Sequence, residues 1–180
     1  MPLQISNHIK QLGVQARQEL SEQFARIDAI AEENSQRVLE AFQDHRVAEA
    51  YFSGTTGYGY DDQGRDKLDE IYAQIFGTEA ALVRIQFVNG THAITCALFG
   101  ALKAGDVLLS AVGAPYDTML GAIGVVDKGH GSLKDYGVEY RLVDLVDNKP
   151  DLEGMSIAAA DPKVKVVLIQ RSKGYSTRAS

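Results

Sequence analysis

The sequence contains no tryptophan and a single cysteine, Cys96, so an internal disulfide is excluded. Its four histidines, His8, His45, His92 and His130, show no metal-ligand spacing, and no metal site is expected. Proline is scarce, with 4 in 180 residues, which leaves long stretches free of obligatory helix breaks. No apolar run reaches the roughly 20 residues of a bilayer span. Basic residues are outnumbered, 18 Lys and Arg against 24 Asp and Glu, and the net charge of -6 argues against sequence-independent nucleic-acid binding, which requires phosphate neutralisation. The Gly-x-Ser-x-Gly elbow of serine hydrolases and the Gly-Lys-Ser/Thr ending of the phosphate loop are also missing. So are the basic start, apolar stretch and cleavage site of a secretory signal. A cytoplasmic protein that handles small molecules, with no nucleic-acid or membrane partner, is the expectation.

What is present is ordered. From Gln15 to about Asp44 the chain has no Gly or Pro, and Leu20, Phe24, Ile27, Ile30, Val38, Leu39 and Phe42 recur at roughly helical spacing. This predicts one long amphipathic helix, or two in series, whose single apolar stripe packs on a neighbouring domain or another subunit. Beyond the Gly- and Tyr-rich loop "SGTTGYGYDDQG", the run "RDKLDEIYAQIFG" reads as a helix closed by Gly77. Strands and helices then alternate. "AALVRIQFV", "DVLLSAV", "VEYRLVDL" and "KVKVVLIQ" are expected strands. "THAITCALFGALKAG", ending at Gly105, "YDTMLGAIG" and "DLEGMSIAAA" are expected helices. Several strands are near-continuously apolar, the pattern of strands covered on both faces. The alternation implies an α/β domain with a mostly parallel sheet, preceded by an N-terminal helical arm over residues 1–50.

In such sheets ligands bind beyond the carboxyl ends of the strands, which selects "NGTHA", "GAPYDT" and "RSKGYS". Asn89, Gly90, Thr91 and His92 stand where a strand gives way to a helix. Free amides and the helix dipole there suit an anion, and Gly90 permits close approach. The same residues also suit a plain helix cap and turn. Tyr116 is placed to stack on a planar ligand or to pack within its loop, with Asp117 capping the next helix. Cys96, inside an apolar helix, is expected to be a buried small hydrophobe.

Taken as a set, "GTTGYGYDDQGRDKLDEIYAQIFG", "ALVRIQFVNGTHAI", "GAPYDT" and "IQRSKGYSTRAS" resemble one family. It comprises the pyridoxal 5'-phosphate (PLP)-dependent proteins known as methionine gamma-lyase-like, cystathionine beta-lyase-like or aluminium-resistance proteins, within the fold type I, aspartate aminotransferase-like superfamily. Asn89 departs from the serine expected before Gly-Thr-His. The resemblance implies that Gly90, Thr91 and His92 hold the PLP phosphate and that Tyr116 stacks on its ring. It implies that Tyr58 or Tyr60 reaches the cofactor of a partner subunit, in a homodimer or homotetramer with shared active sites. Arg171, Tyr175 and Arg178 fall where substrate-carboxylate contacts are expected, since a guanidinium grips a carboxylate with parallel hydrogen bonds. The implied reaction is carbon–sulfur elimination on a sulfur amino acid.

That chemistry also needs a lysine to carry the cofactor and an acid against the ring nitrogen. The resemblance puts both beyond Ser180 and makes Lys173 an unsuitable lysine, because relatives commonly carry arginine there. No catalytic residue is therefore assigned. Residues 51–180 are expected to be the first part of a PLP-binding large domain. The competing expectations are an aminotransferase of the same fold, or a noncatalytic α/β module that binds a nucleotide or phosphorylated small molecule.

Overall fold

The helical arm forms for the reasons its sequence suggests, although it starts earlier. In this computed structural model, which describes residues 5–55, 58, 60, 62–126 and 129–172, α1 covers Asn7–Glu19 and α2 covers Ser21–Asp44. This is the two-in-series form, broken at Leu20. Ser6 caps α1 by accepting from the Ile9 amide, and Gly13 is tolerated within the helix, being costly relative to alanine by only about 1 kcal/mol. α3 (Gln63–Phe76) begins at Asp62, whose carboxylate accepts from the Arg65 amide, and ends at Gly77 in the left-handed conformation. α2 and α3 pack together. Ala41 and Ile71 are buried, Gln74 donates to Asp44, and the His45 ring bonds the Glu70 carboxylate. With a short 3-10 turn at Glu49–Phe52 these elements make up a first compact unit, Met1–Arg84. Leu12, Phe24, Ile27 and Leu39 of the arm remain exposed.

The second unit, Ile85–Ser180, is built on a three-stranded parallel sheet. Its elements are α4 (Gly90–Ala101), β1 (Val107–Ser110), α5 (Asp117–Ile123), β2 (Glu139–Leu142), β3 (Leu145–Val146), β4 (Lys149–Pro150), α6 (Leu152–Ala159) and β5 (Val164–Leu168). Strand order is β2-β1-β5, with Leu108 opposite Tyr140 on one side and Val166 on the other. Leu108 joins Leu98 and Leu102 from the α4 side, Met119 and Ile123 of α5, and Leu133 and Val138 in one core cluster. Val107 and Leu109 point the other way by strand alternation and are equally inaccessible, so β1 is covered on both faces.

Several sequence expectations need correction. Ala80–Val88 is not a strand. Among the described residues it pairs with no other strand, and Leu82, Ile85 and Val88 are exposed. An apolar run becomes a strand only when another strand accepts its backbone groups. Burial on both faces holds for β1 alone, while β5 alternates between half-buried and exposed residues and the ends of β2 are exposed. α4 stops at Ala101, not Gly105, because Leu102 turns extended and is buried in the core. Cys96 is exposed, on the side of α4 away from the core. The run "VEYRLVDL" divides into β2 and β3, and β3 forms a two-stranded hairpin with β4. Asp147 and Asn148 both adopt positive φ at its turn, the type I′ requirement that Asp and Asn meet more readily than most residues.

Candidate functional site

The carboxyl ends of β1 and β5 bring the "GAPYDT" loop to Gln170, which leads into Arg171 and Ser172, the described part of "RSKGYS", and the start of α4 carries "NGTHA". Ala111 donates to Leu168 and Gly113 to Val143, so the chain leaving β1 is stitched to both neighbouring strand ends. Gly113 manages this at φ 86, a conformation that strains residues bearing a Cβ. Farther on, the Tyr116 amide donates to the Gln170 side-chain oxygen at 2.9 Å, joining this loop to the segment that follows β5. The Gln170 amide nitrogen in turn donates to the Ser172 carbonyl at 2.8 Å.

Asn89 is the N-cap of α4, in extended conformation, and its side-chain oxygen accepts from the His92 amide at 2.9 Å. That bond occupies one of the amides at the helix start. Among the described residues the Gly90 and Thr91 amides have no acceptor, and no atom lies within 4 Å of where a Cβ on Gly90 would sit. Two outward amides at the positive end of a 12-residue helix, beside an open glycine, suit a phosphate. Next to them the Thr91 and Thr118 hydroxyls meet at 3.0 Å, which ties the start of α4 to the first turn of α5. The His92 ring accepts from the Val88 amide through Nδ1 at 3.3 Å and lies edge-on to Phe87. With Nδ1 accepting, the neutral ring carries its proton on Nε2 and has a donor to offer there.

Gly90, Thr91, His92 and Tyr116 thus gather at one end of the sheet. Tyr116 is half-buried against the core cluster and immediately precedes α5, so its ring has a fixed base. Asp117, expected as the cap of α5, is instead its first helical residue and bonds the Thr118 amide beside it. Arg171 is exposed on the segment after β5. Tyr175, Arg178 and Lys173 lie outside the described residues. Tyr58 and Tyr60 belong to the first unit and are both 83% exposed. Sequence reasoning missed Gln170 and Thr118. The one available signal for Gln170 was a polar residue directly after an apolar strand, and for Thr118 a hydroxyl in the first turn of a helix. Among the described residues no group of three or more His, Cys, Asp or Glu is placed to hold a metal, and no helix is long and apolar enough to cross a membrane.

Comparison with known proteins places the chain in one family. A family model described as methionine gamma-lyase matches residues 9–180. The Bacillus subtilis (strain 168) protein YnbB is 47% identical over 174 residues, which is 96% of this chain and 41% of that protein. A solved Clostridium acetobutylicum structure, whose name connects it with cystathionine beta-lyase and aluminium resistance, matches at TM-score 0.91 and 46% identity, covering 98% of this chain and 43% of its own. A carbon-sulfur lyase involved in aluminium resistance from Clostridium novyi NT matches at TM-score 0.87 and 46% identity, over 93% and 41%. The chain therefore spans well under half the length of the relatives it matches.

Proposed function

This chain belongs to the methionine gamma-lyase family, and from that membership we propose that it is the N-terminal part of a longer PLP-dependent carbon–sulfur lyase acting on sulfur amino acids. The observation that carries the reading is the convergence of the Gly90 and Thr91 amides, the Thr91–Thr118 hydroxyl pair and Tyr116 at the carboxyl end of a parallel sheet. Two amides and a hydroxyl are a donor set that fits a phosphate, and an aromatic ring beside them fits a planar heterocycle. The exposed apolar residues Leu82, Ile85 and Val88, in a run with no partner strand among the described residues, support a chain meant to be completed by further sheet.

In this reading residues 1–50 form an arm and residues 51–180 open the cofactor-binding domain. The Gly90 and Thr91 amides hold the phosphate, and His92 offers its Nε2 proton while Asn89 keeps the helix start in place. Tyr116 covers one face of the ring. Arg171, with Tyr175 and Arg178, receives the substrate carboxylate. Tyr58 or Tyr60 reaches the cofactor of a second copy, in a homodimer or homotetramer. PLP, when bound, supplies the electron sink for breaking bonds beside the substrate amino group. The lysine that carries it and the acid against its ring nitrogen belong to the remainder of the longer protein.

The test is turnover by the full-length gene product. It is expected to take up PLP and to release a 2-oxo acid from at least one sulfur amino acid. Pyruvate is the expected product of a beta-elimination and 2-oxobutyrate of a gamma-elimination from methionine. PLP uptake with amino-group exchange and no elimination would identify an aminotransferase instead. Absence of PLP uptake would overturn the reading and favour a noncatalytic phosphate-binding module.

A further inference from the structure

We propose that Gln170 is a positioning residue that holds the Tyr116 platform and the Arg171 segment in register, so that ring stacking and substrate binding are set by one side chain. The inference rests on the proposed PLP function and goes beyond it, because neither family membership nor the site motifs assign Gln170 a role. Gln170 makes two hydrogen bonds. Gln170 Oε1 accepts from the Tyr116 amide, 54 residues away in sequence, at 2.9 Å in a part-buried position. Its Nε2 donates to the carbonyl of Ser172 at 2.8 Å. The two partners fix the orientation of the amide group, since an N–H must meet the oxygen and a carbonyl must meet the nitrogen.

Each bond sets a different wall. On one side the Tyr116 backbone is held at its nitrogen by Gln170 and at its carbonyl by the Met119 amide at 2.8 Å. With both ends of that residue fixed and the ring packed on the core cluster, the plane offered to a ligand is set in advance. On the other side, the bond from Gln170 to Ser172 closes a tight turn around Arg171. The backbone of Arg171 is thereby held between two points that one side chain controls. Glutamine is suited to this because it presents an acceptor and a donor at once. Glutamate keeps only the acceptor, and methionine, of similar length, keeps neither.

This chemistry predicts a split that a general loss of stability would not produce. In the full-length gene product, Q170M is expected to weaken PLP affinity about tenfold, the usual order for losing a part-buried hydrogen bond, and to raise KM for the amino acid by a similar factor. Q170E is expected to keep PLP affinity within about threefold of the parent, because the Tyr116 amide retains its acceptor, while KM still rises about tenfold. PLP affinity is read by fluorescence titration of the apo protein. Hydrogen exchange at the Tyr116 amide gives a readout independent of activity, expected to be faster in Q170M and near the parent rate in Q170E. Equal PLP affinity in Q170M and the parent, or equal loss in Q170M and Q170E, overturns the positioning role while leaving the PLP reading intact. If the parent itself takes up no PLP, the functional reading fails and the positioning role fails with it.

Discussion

At the scale of single residues, the start of α4 shows how one atom organises a helix terminus. Asn89 uses its side-chain oxygen on the His92 amide, and among the described residues the Gly90 and Thr91 amides have no acceptor. Asn89→Ala removes that acceptor and is expected to cost about 1 kcal/mol in urea unfolding of the chain, while Asn89→Ser recovers most of the loss. Equal unfolding midpoints for the parent and the alanine variant would show that the cap contributes nothing. Asparagine and serine are both good caps, so the serine that the resemblance leads one to expect here would keep this helix start. The places of Gly90 and Thr91 at a helix start and of Tyr116 in the loop after β1 were legible in the sequence, because caps and turns are written locally. Gln170 was not, because its partner lies 54 residues away and no local pattern encodes that contact.

At the scale of elements, β1 carries the second unit. Leu108 is fully buried, and Leu108→Ala is expected to cost about 3 kcal/mol by opening a cavity that parallel neighbours cannot close, measurable by denaturant unfolding. The segment after α5 is held differently. Gly124 has φ 93, and a Cβ there would lie 2.5 Å from Ser132 Oγ and 2.8 Å from Lys134 Cβ. In the same segment the Asp135 carboxylate accepts from the Ser132 amide and hydroxyl and from the Gly131 amide, and these bonds hold it below the usual aspartate range. A lowered folded-state pKa means that the stabilisation is fully present above the unfolded value of about 3.9 and is lost as pH falls through the folded value. Exchange at the Gly131 and Ser132 amides, corrected for intrinsic rates, is therefore expected to lose protection below about pH 4. In Asp135→Asn that pH dependence should vanish, and its persistence would assign the effect to another group.

At the scale of the whole molecule, the proposed shared site makes a prediction about Tyr58 and Tyr60. Both side chains are exposed within their own unit, as residues that serve a second copy must be before assembly. Replacing both with Phe in the full-length protein is expected to weaken PLP retention several-fold in dialysis, with unfolding temperature and oligomeric state unchanged. Unaltered retention would remove both from the phosphate site. The exposed apolar face of α1 and α2 fits the same picture, since a helix with one apolar stripe gains most of its stability by packing that stripe.

The helical arm, the helix start at Gly90, the α/β class and, through its motifs, the likeness to the methionine gamma-lyase family were legible in the sequence alone, because helices, caps and short motifs are written locally. Tertiary structure decided the rest. It showed that Ala80–Val88 is no strand among the described residues, that β1 alone is buried on both faces, and that Cys96 faces outward from α4. It also brought Gln170 to Tyr116 and Thr118 to Thr91. The physical reason is the same in each case. Burial, strand pairing and long-range hydrogen bonds depend on which distant segment arrives as a partner, and hydrophobic patterning specifies that a partner is needed without specifying which.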